Sequence, residues 1–277
     1  MSPESRAETN SEGPAAAAEA AVTLDAVEHV YGGTVHALGP IDLALREGEF
    51  FATIGPSGCG KTTMMDIVAG LTEPTGGEVV FEGRPVRGSV PEGVGIVFQD
   101  DASFPWLTVF DNIAFGLRRL GMAGAEVRDR VDFAIDFMGL QGFARARPSE
   151  LSGGMRQRVC IARTFVMEPR LILLDEPFGS LDQQTRILMG DELLRLWRET
   201  GATVLLITHS LDEAALLSDR IGVMSARPGV FIEVVETGWP VDRDSRMASK
   251  DEFGQVTTHL WELLRGESMK AMGDDGP

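Results

Sequence analysis

FFATIGPSGCGKTTMMDIVAGL, residues 50–71, passes from an apolar run through a glycine-rich turn into a helical stretch with Gly70 near its end. That order of strand, loop and helix is the context in which GPSGCGKT, residues 55–62, matches a phosphate-binding loop. The glycines let the backbone curl so that successive N–H groups meet β-phosphate oxygens. Lys61 neutralises β/γ charge, and the Thr62 hydroxyl ligates Mg2+. Gly55, Pro56, Ser57, Gly58, Cys59, Gly60, Lys61, Thr62 and Thr63 are therefore candidate nucleotide contacts.

A second anion cradle lies about 90 residues on. In LSGGMRQR, residues 151–158, Ser152, Gly153 and Gly154 precede a helical run through Met155, Val159, Ile161, Ala162 and Phe165. Several backbone N–H groups are left free there, at the positive end of the helix dipole.

The acidic pair in LLDEP sits at the carboxyl end of a buried run, where open α/β sheets bind ligands. Asp175 is suited to the Mg2+ shell, and Glu176 to polarising a water for in-line attack on a γ-phosphate. An Asp-Glu at a strand end is ordinarily just solvated; the phosphate loop's need for a metal partner favours the catalytic reading. Gln99 follows the run GIVF as a neutral amide that could touch both metal and water. His209 follows VLLIT and precedes Ser210-Leu211-Asp212-Glu213, an S-x-x-E capping box that sets where the next helix starts. A lone histidine there is usually structural, so its catalytic reading depends on the other motifs. Tyr31, the one tyrosine, either stacks on a purine or packs into the β layer.

Residues 1–20, rich in Ala, Glu, Ser and Pro without an apolar period, are expected to form a disordered leader. Alternating segments such as 41–45 read as strands. An inserted helical region is expected at about 103–165. In it Val109, Ile113, Leu117 and Leu120 share one face, Val127, Val131, Ile135 and Met138 another, and Gly139 caps the second helix. Beyond it, the apolar runs 171–174 and 204–207 flank a helix over 184–200 and suit the centre of a covered parallel sheet. A hairpin is expected around Arg227-Pro228-Gly229, then an amphipathic helix near 256–264. The domain is read as 21–265, with a flexible tail over 266–277.

The 277 residues carry 25 Lys+Arg against 42 Asp+Glu, a net charge of -17 that repels nucleic acid phosphates. Cys59 and Cys160 are not spaced as a metal site and read as reduced thiols. No apolar run approaches the roughly 20 residues that span a bilayer, and no signal-peptide pattern opens the chain, so a cytosolic protein is expected.

With Tyr31, GPSGCGKT, Gln99, LSGG, LLDEP, Ser180-Leu181-Asp182 and His209 in that order, the chain resembles the nucleotide-binding subunit of an ABC transporter. The resemblance covers residues 22–265 and rests on LSGG standing ahead of the acidic strand. It implies an α/β fold: a P-loop (RecA-like) core with an antiparallel β subdomain and an inserted helical subdomain. It also implies ATP and Mg2+ as cofactors, with Glu176, His209 and Gln99 catalytic and Thr62, Gln99 and Asp175 around the metal. Two such chains pack head to tail in this family, so that Ser152, Gly153 and Gly154 of one face the γ-phosphate held by the other. That arrangement answers why one chain has two cradles. The resemblance makes 180–182 a loop crossing the interface and His209 the γ-phosphate contact. One position departs: the commonest fifth signature residue is Gln, and Met155 offers no strong ribose hydrogen bond.

A narrower resemblance, carried by DDASFPWLTVFDN, MRQRVCIARTFVMEPRLILLDEPFGSLD and LWELLRGE, is to the ATPases of nitrate, sulfonate and taurine importers. It implies an ATPase dimer, or paired ATPase subunits, on membrane permeases at the cytoplasmic face, with an extracytoplasmic solute-binding protein and no nucleic acid partner. Phe104, Pro105 and Trp106 would lie beside the groove for a permease helix, or Trp106 would pack the insert. The stretch beyond His209 is too short for the large regulatory domain of some sugar and molybdate importer ATPases. Lipid transport or export is an alternative task. A non-transport ABC ATPase acting on nucleic acid is disfavoured by the charge and by the lack of a long coiled coil.

Overall fold

The computed structural model describes residues 20–100, 102–179 and 181–274. The chain begins with β1 (Ala20–Tyr31), β2 (Val35–Arg46), β3 (Phe50–Ile54), α1 (Lys61–Val68), β4 (Gly76–Phe81), β5 (Arg84–Pro85) and β6 (Val94–Val97). Three helices follow, α2 (Val109–Arg119), α3 (Gly124–Phe137) and α4 (Gly153–Phe165). Alternation then resumes with β7 (Leu171–Asp175), α5 (Gln183–Thr200), β8 (Thr203–Ile207), α6 (Leu211–Leu217), β9 (Arg220–Met224), β10 (Phe231–Glu236) and α7 (Asp251–Asp274).

Six strands form the central sheet in the order β10-β9-β3-β8-β7-β6. All neighbours in it are parallel except β10, which returns antiparallel on β9. Every residue of β3, β7 and β8 is buried, as expected of parallel strands covered on both faces. The pleat sends neighbours to opposite layers. Phe50, Ala52 and Ile54 pack into a core with α2 to α5. Phe51 joins a second core with α1 and the antiparallel sheet β2-β1-β4-β5. Along β2, Ile41, Leu43 and Leu45 are buried while Asp42, Ala44 and Arg46 are exposed, the alternation of a half-buried strand.

In the helical insert Asn112 is fully buried. Its amide accepts from Phe104 N–H at 2.8 Å and donates to the carbonyls of Phe104, Leu107 and Thr108. One side chain thereby fixes the aromatic segment ahead of α2. Val127, Val131, Ile135 and Met138 are buried as their spacing predicts, and Gly139 takes φ 62 after α3.

Two expectations need adjustment, and two fall wholly or partly outside the described residues. Leu120 lies just past α2 and is 70% exposed, so the α2 stripe ends at Leu117. The leader, residues 1–19, falls outside the described residues, and Ala20 already belongs to β1. The terminal helix runs through Asp274, where a flexible tail from 266 was expected. Its continuation has a tertiary cause: Glu267 is buried and its carboxylate accepts the Ala226 N–H at 2.8 Å. Ser180 and Asp101 also lie outside the described residues, so the expected interface loop is seen only at Leu181 and Asp182. The hairpin around Arg227-Pro228-Gly229 is present, joining β9 to β10.

Candidate functional site

The carboxyl ends of β3, β8, β7 and β6 lie side by side, and at or within two residues of each end stands a residue the sequence singled out: Gly55, His209, Asp175 and Gln99. The loop after β3 turns into α1 at Gly60, whose φ of 107 is left-handed and which provides no side-chain cap. The N–H groups of Lys61, Thr62 and Thr63 therefore have no acceptor within the helix and face an anion-binding position. A Cβ at Gly60 would come within 2.6 Å of Leu38 Cδ2 and 2.7 Å of the Ala37 carbonyl, so glycine is required by packing as well. Lys61 is 8% exposed, its Nζ donating to the carbonyls of Gly55 at 2.8 Å and Pro56 at 2.9 Å.

Asp175 closes β7, 5% exposed, and accepts from Thr62 Oγ1 at 3.4 Å. Burial, and then the charge of Glu176, push its carboxyl up to about 6; the Thr62 hydroxyl opposes the rise, and Asp66 adds to it. A hydroxyl, a buried carboxylate short of positive charge, and an uncapped helix start are a donor set that fits Mg2+ with a nucleotide's phosphates.

Glu176, one residue on, sits at φ 45, a conformation that costs about 1 kcal/mol or more outside glycine. Its N–H donates to the Ile207 carbonyl at 2.8 Å, which fixes it against β8. Its Oε2 accepts from Gln99 Nε2 at 3.2 Å and meets His209 Nδ1 at 3.1 Å. Three residues scattered over the sequence thus converge on one oxygen. A carboxylate oriented by an amide and an imidazole can accept a proton from a bound water.

His209 is aimed by its neighbours. Ser210 Oγ accepts from Glu213 N–H at 3.3 Å, as half of a capping box. The reciprocal arm expected from S-x-x-E is not made. Glu213 accepts from Thr208 Oγ1 at 2.7 Å, and Ser210 N–H donates to the same hydroxyl at 3.0 Å. Thr208 intercepts the carboxylate, and Arg186 pairs with it from α5 at 3.4 Å. Glu213 was singled out in the sequence as part of the capping box, whereas Thr208 and Arg186 were not, because their contacts with it cross from the end of β8 and from α5.

Tyr31 is 45% exposed with its hydroxyl 3.1 Å from Thr63 Oγ1, so its ring stands beside the loop instead of within the β layer. Cys59 and Cys160 are buried, and burial raises the Cys59 thiol.

The second helix start lies where its spacing predicts. Ser152 caps α4, its Oγ accepting from Met155 N–H at 3.3 Å, and Gly153 and Gly154 open the helix. A Cβ on Gly154 would lie 2.7 Å from Leu181 Cδ2, which ties this helix start to the loop before α5. Asp182 in turn caps α5, accepting from Thr185 N–H at 3.0 Å. Among the described residues no hydrogen bond or ion pair joins this cradle to residues 55–63.

Asp175→Asn should stabilise the chain, because it removes a carboxylate whose ionisation burial opposes. The folded pKa of about 6 lies above the ordinary 3.8, so the ionised group costs stability above 6 and the cost fades as pH falls towards 3.8. The variant should gain about 1–3 kcal/mol near pH 8 in chelator, and little near pH 4. Thermal melts at the two pH values test this; equal Tm near pH 8 would refute the assigned burial cost.

An uncapped glycine loop with its lysine, an acidic strand end and a second helix start define a P-loop nucleotide hydrolase. The ABC transporter family profile matches residues 38–179. The taurine import ATP-binding protein TauB of Ruegeria pomeroyi is 48% identical over 246 residues, 87% of this chain and 91% of the relative. TauB of Jannaschia sp. is 42% identical over 248 residues, 87% and 91% of the two chains. The dimeric ATP-binding cassette MJ0796, solved in a post-hydrolysis state bound to ADP and Pi, superposes at TM-score 0.70 with 32% identity, covering 78% of this chain and 98% of that one. CbiO1 of Clostridium perfringens, part of the ABC transporter complex cbiONQ, gives TM-score 0.74 at 28% identity, covering 90% and 98%. The chain belongs to the ABC transporter ATP-binding family, and it is an ATPase. Among the described residues no helix is long and apolar enough to cross a membrane.

Proposed function

We propose that this chain hydrolyses ATP between two head-to-tail copies and so energises uptake of a small solute of the taurine, sulfonate or nitrate kind through separate permease chains. The observation that carries this is the presence of two glycine-rich helix starts in one chain, at Gly60 and Ser152, with no bond between them among the described residues. A nucleotide clasped by the first cradle of one copy and the second of its partner uses both.

In this reading residues 55–63 wrap the phosphates and Lys61 turns from its two carbonyls to β/γ oxygens. Tyr31, beside Thr63, offers its exposed ring to the purine. Thr62, Asp175 and Gln99 hold Mg2+, which when bound offsets phosphate charge and orients the γ-phosphate. Glu176 accepts the proton of the attacking water while His209 holds the carboxylate and reaches the γ-phosphate. Ser152, Gly153 and Gly154 of the second copy present N–H groups carrying about half a positive charge, so ATP holds the pair closed more firmly than ADP does.

An exposed aromatic cluster supports docking to a permease. Trp106 is 69% exposed and Phe115 43%, and Phe104 stacks on both with ring centroids 5.7 and 4.6 Å away. Arg163 lies over Phe104 at 4.9 Å. Trp106 faces outward rather than packing the insert, as a partner groove at the cytoplasmic membrane face requires. An extracytoplasmic solute-binding protein completes the assembly.

The native chain, solubilised from membranes and captured by a tag, should bring down multispanning subunits, and their ATPase activity should rise with solute and binding protein. Recovery of the chain only in the soluble fraction, or with nucleic acid, would refute the transport reading.

A further inference from the structure

We propose that Arg227, braced by Glu267 of α7, is a positioning residue for nucleotide binding that sets the orientation of the peptide joining Gly58 to Cys59. This rests on the reading that residues 55–63 hold the nucleotide's phosphates.

Arg227 Nε and Nη2 both donate to the Gly58 carbonyl oxygen, at 3.2 and 3.1 Å. Among the described residues no carboxylate is paired with this guanidinium. Gly58 lies at φ 72, and the Cys59 N–H points back to the Pro56 carbonyl at 3.3 Å. In a trans peptide C=O and N–H point opposite ways, so a carbonyl held outward keeps its N–H inward. That peptide turns through opposite changes in ψ of Gly58 and φ of Cys59, and Gly58, having no Cβ, does not by itself hold ψ to one orientation. The flipped peptide would aim an oxygen at the phosphates, and the pair of bonds from Arg227 opposes that flip.

Arg227 is itself held in place. The turn between β9 and β10 lies against the loop so closely that a Cβ on Gly229 would stand 2.0 Å from the Cys59 carbonyl. Gly229 N–H donates to Ala37 O at 3.0 Å, and Gly229 O accepts from Gly39 N–H at 3.1 Å, tying the turn to β2. On its other side Ala226 N–H donates to Glu267 Oε2 at 2.8 Å. The bond from Lys270, and next the Ala226 N–H against the opposing effect of burial, keep the Glu267 carboxyl below its usual range. A chain of contacts thus leads from the last turns of α7 through the turn to the phosphate loop.

The test measures equilibrium binding of fluorescent ATP and ADP, with kcat and KM, for the full-length chain and its variants. Arg227→Ala should weaken both nucleotides alike by roughly 5- to 10-fold and leave kcat at saturating ATP within about twofold. Arg227→Lys, with one point of contact in place of two, should recover part of the loss. Glu267→Ala should act in the same direction by about 2- to 5-fold. Wild-type affinity in Arg227→Ala, or a loss confined to ATP, would overturn the inference, the second by showing a direct γ-phosphate contact. Arg227 is exposed, so its truncation leaves the fold intact, and a matching Tm verifies this. If instead Lys61→Ala binds nucleotide as well as the wild type, the reading of the loop itself fails, separately from any effect at Arg227.

Discussion

Glu176→Gln should slow ATP hydrolysis by about 10²–10⁴-fold while ATP binding stays near normal. Glutamine matches the shape of glutamate and can adopt the same left-handed backbone, so Gln99 and His209 keep a partner at the position of Oε2. What it lacks is a site for the proton of the attacking water. The change leaves the phosphate loop's own contacts in place, since Lys61 Nζ bonds to the Gly55 and Pro56 carbonyls and to Cys59 Sγ, none of which involves Glu176. The variant should therefore accumulate with ATP bound, as a closed dimer that persists in gel filtration. Phosphate release measured beside fluorescent-nucleotide binding separates the two effects. Turnover within tenfold of the wild type would remove Glu176 as the base.

The second large effect is a complementation. Lys61→Ala removes the amine that spans the loop, and Ser152→Glu places a negative charge at the start of α4, where an anion should bind. Each variant alone should lose hydrolysis by about 10²-fold or more, as removal of one phosphate-stabilising group does elsewhere. Mixed in equal amounts, head-to-tail pairs of the two contain one site with both defects and one with neither. Random pairing makes half of all pairs mixed, so activity should return to about a quarter of the wild type. A mixture shown to associate but remaining inert would exclude a site shared between chains.

Much of the site was legible because its parts are local. The loop 55–62 and the helix start 152–154 are each written within a few consecutive residues, since a glycine turn and an N-cap are set by neighbours. The strands β3, β7 and β8 could be read as apolar runs because burial on both faces leaves no room for polar alternation. The capping box was half legible. Ser210 caps as its type dictates, but the carboxylate of Glu213 is taken by Thr208, two residues ahead of the motif. The length of α7 was misread because polar and glycine residues after 265 look like a tail. They are helical as a continuation of a packed helix whose Glu267 reaches Ala226, 41 residues earlier.

From the sequence alone came the nucleotide loop, the second helix start, the acidic strand end and their order, which together establish the family and the chemistry. Tertiary structure alone decided that Gln99, Glu176 and His209 meet at one oxygen, because that depends on the parallel register of β6, β7 and β8. It alone decided that Arg227 reaches Gly58 across 169 residues. Contacts between neighbours follow from residue type and spacing, whereas contacts at such separations exist only once packing has brought distant backbone together.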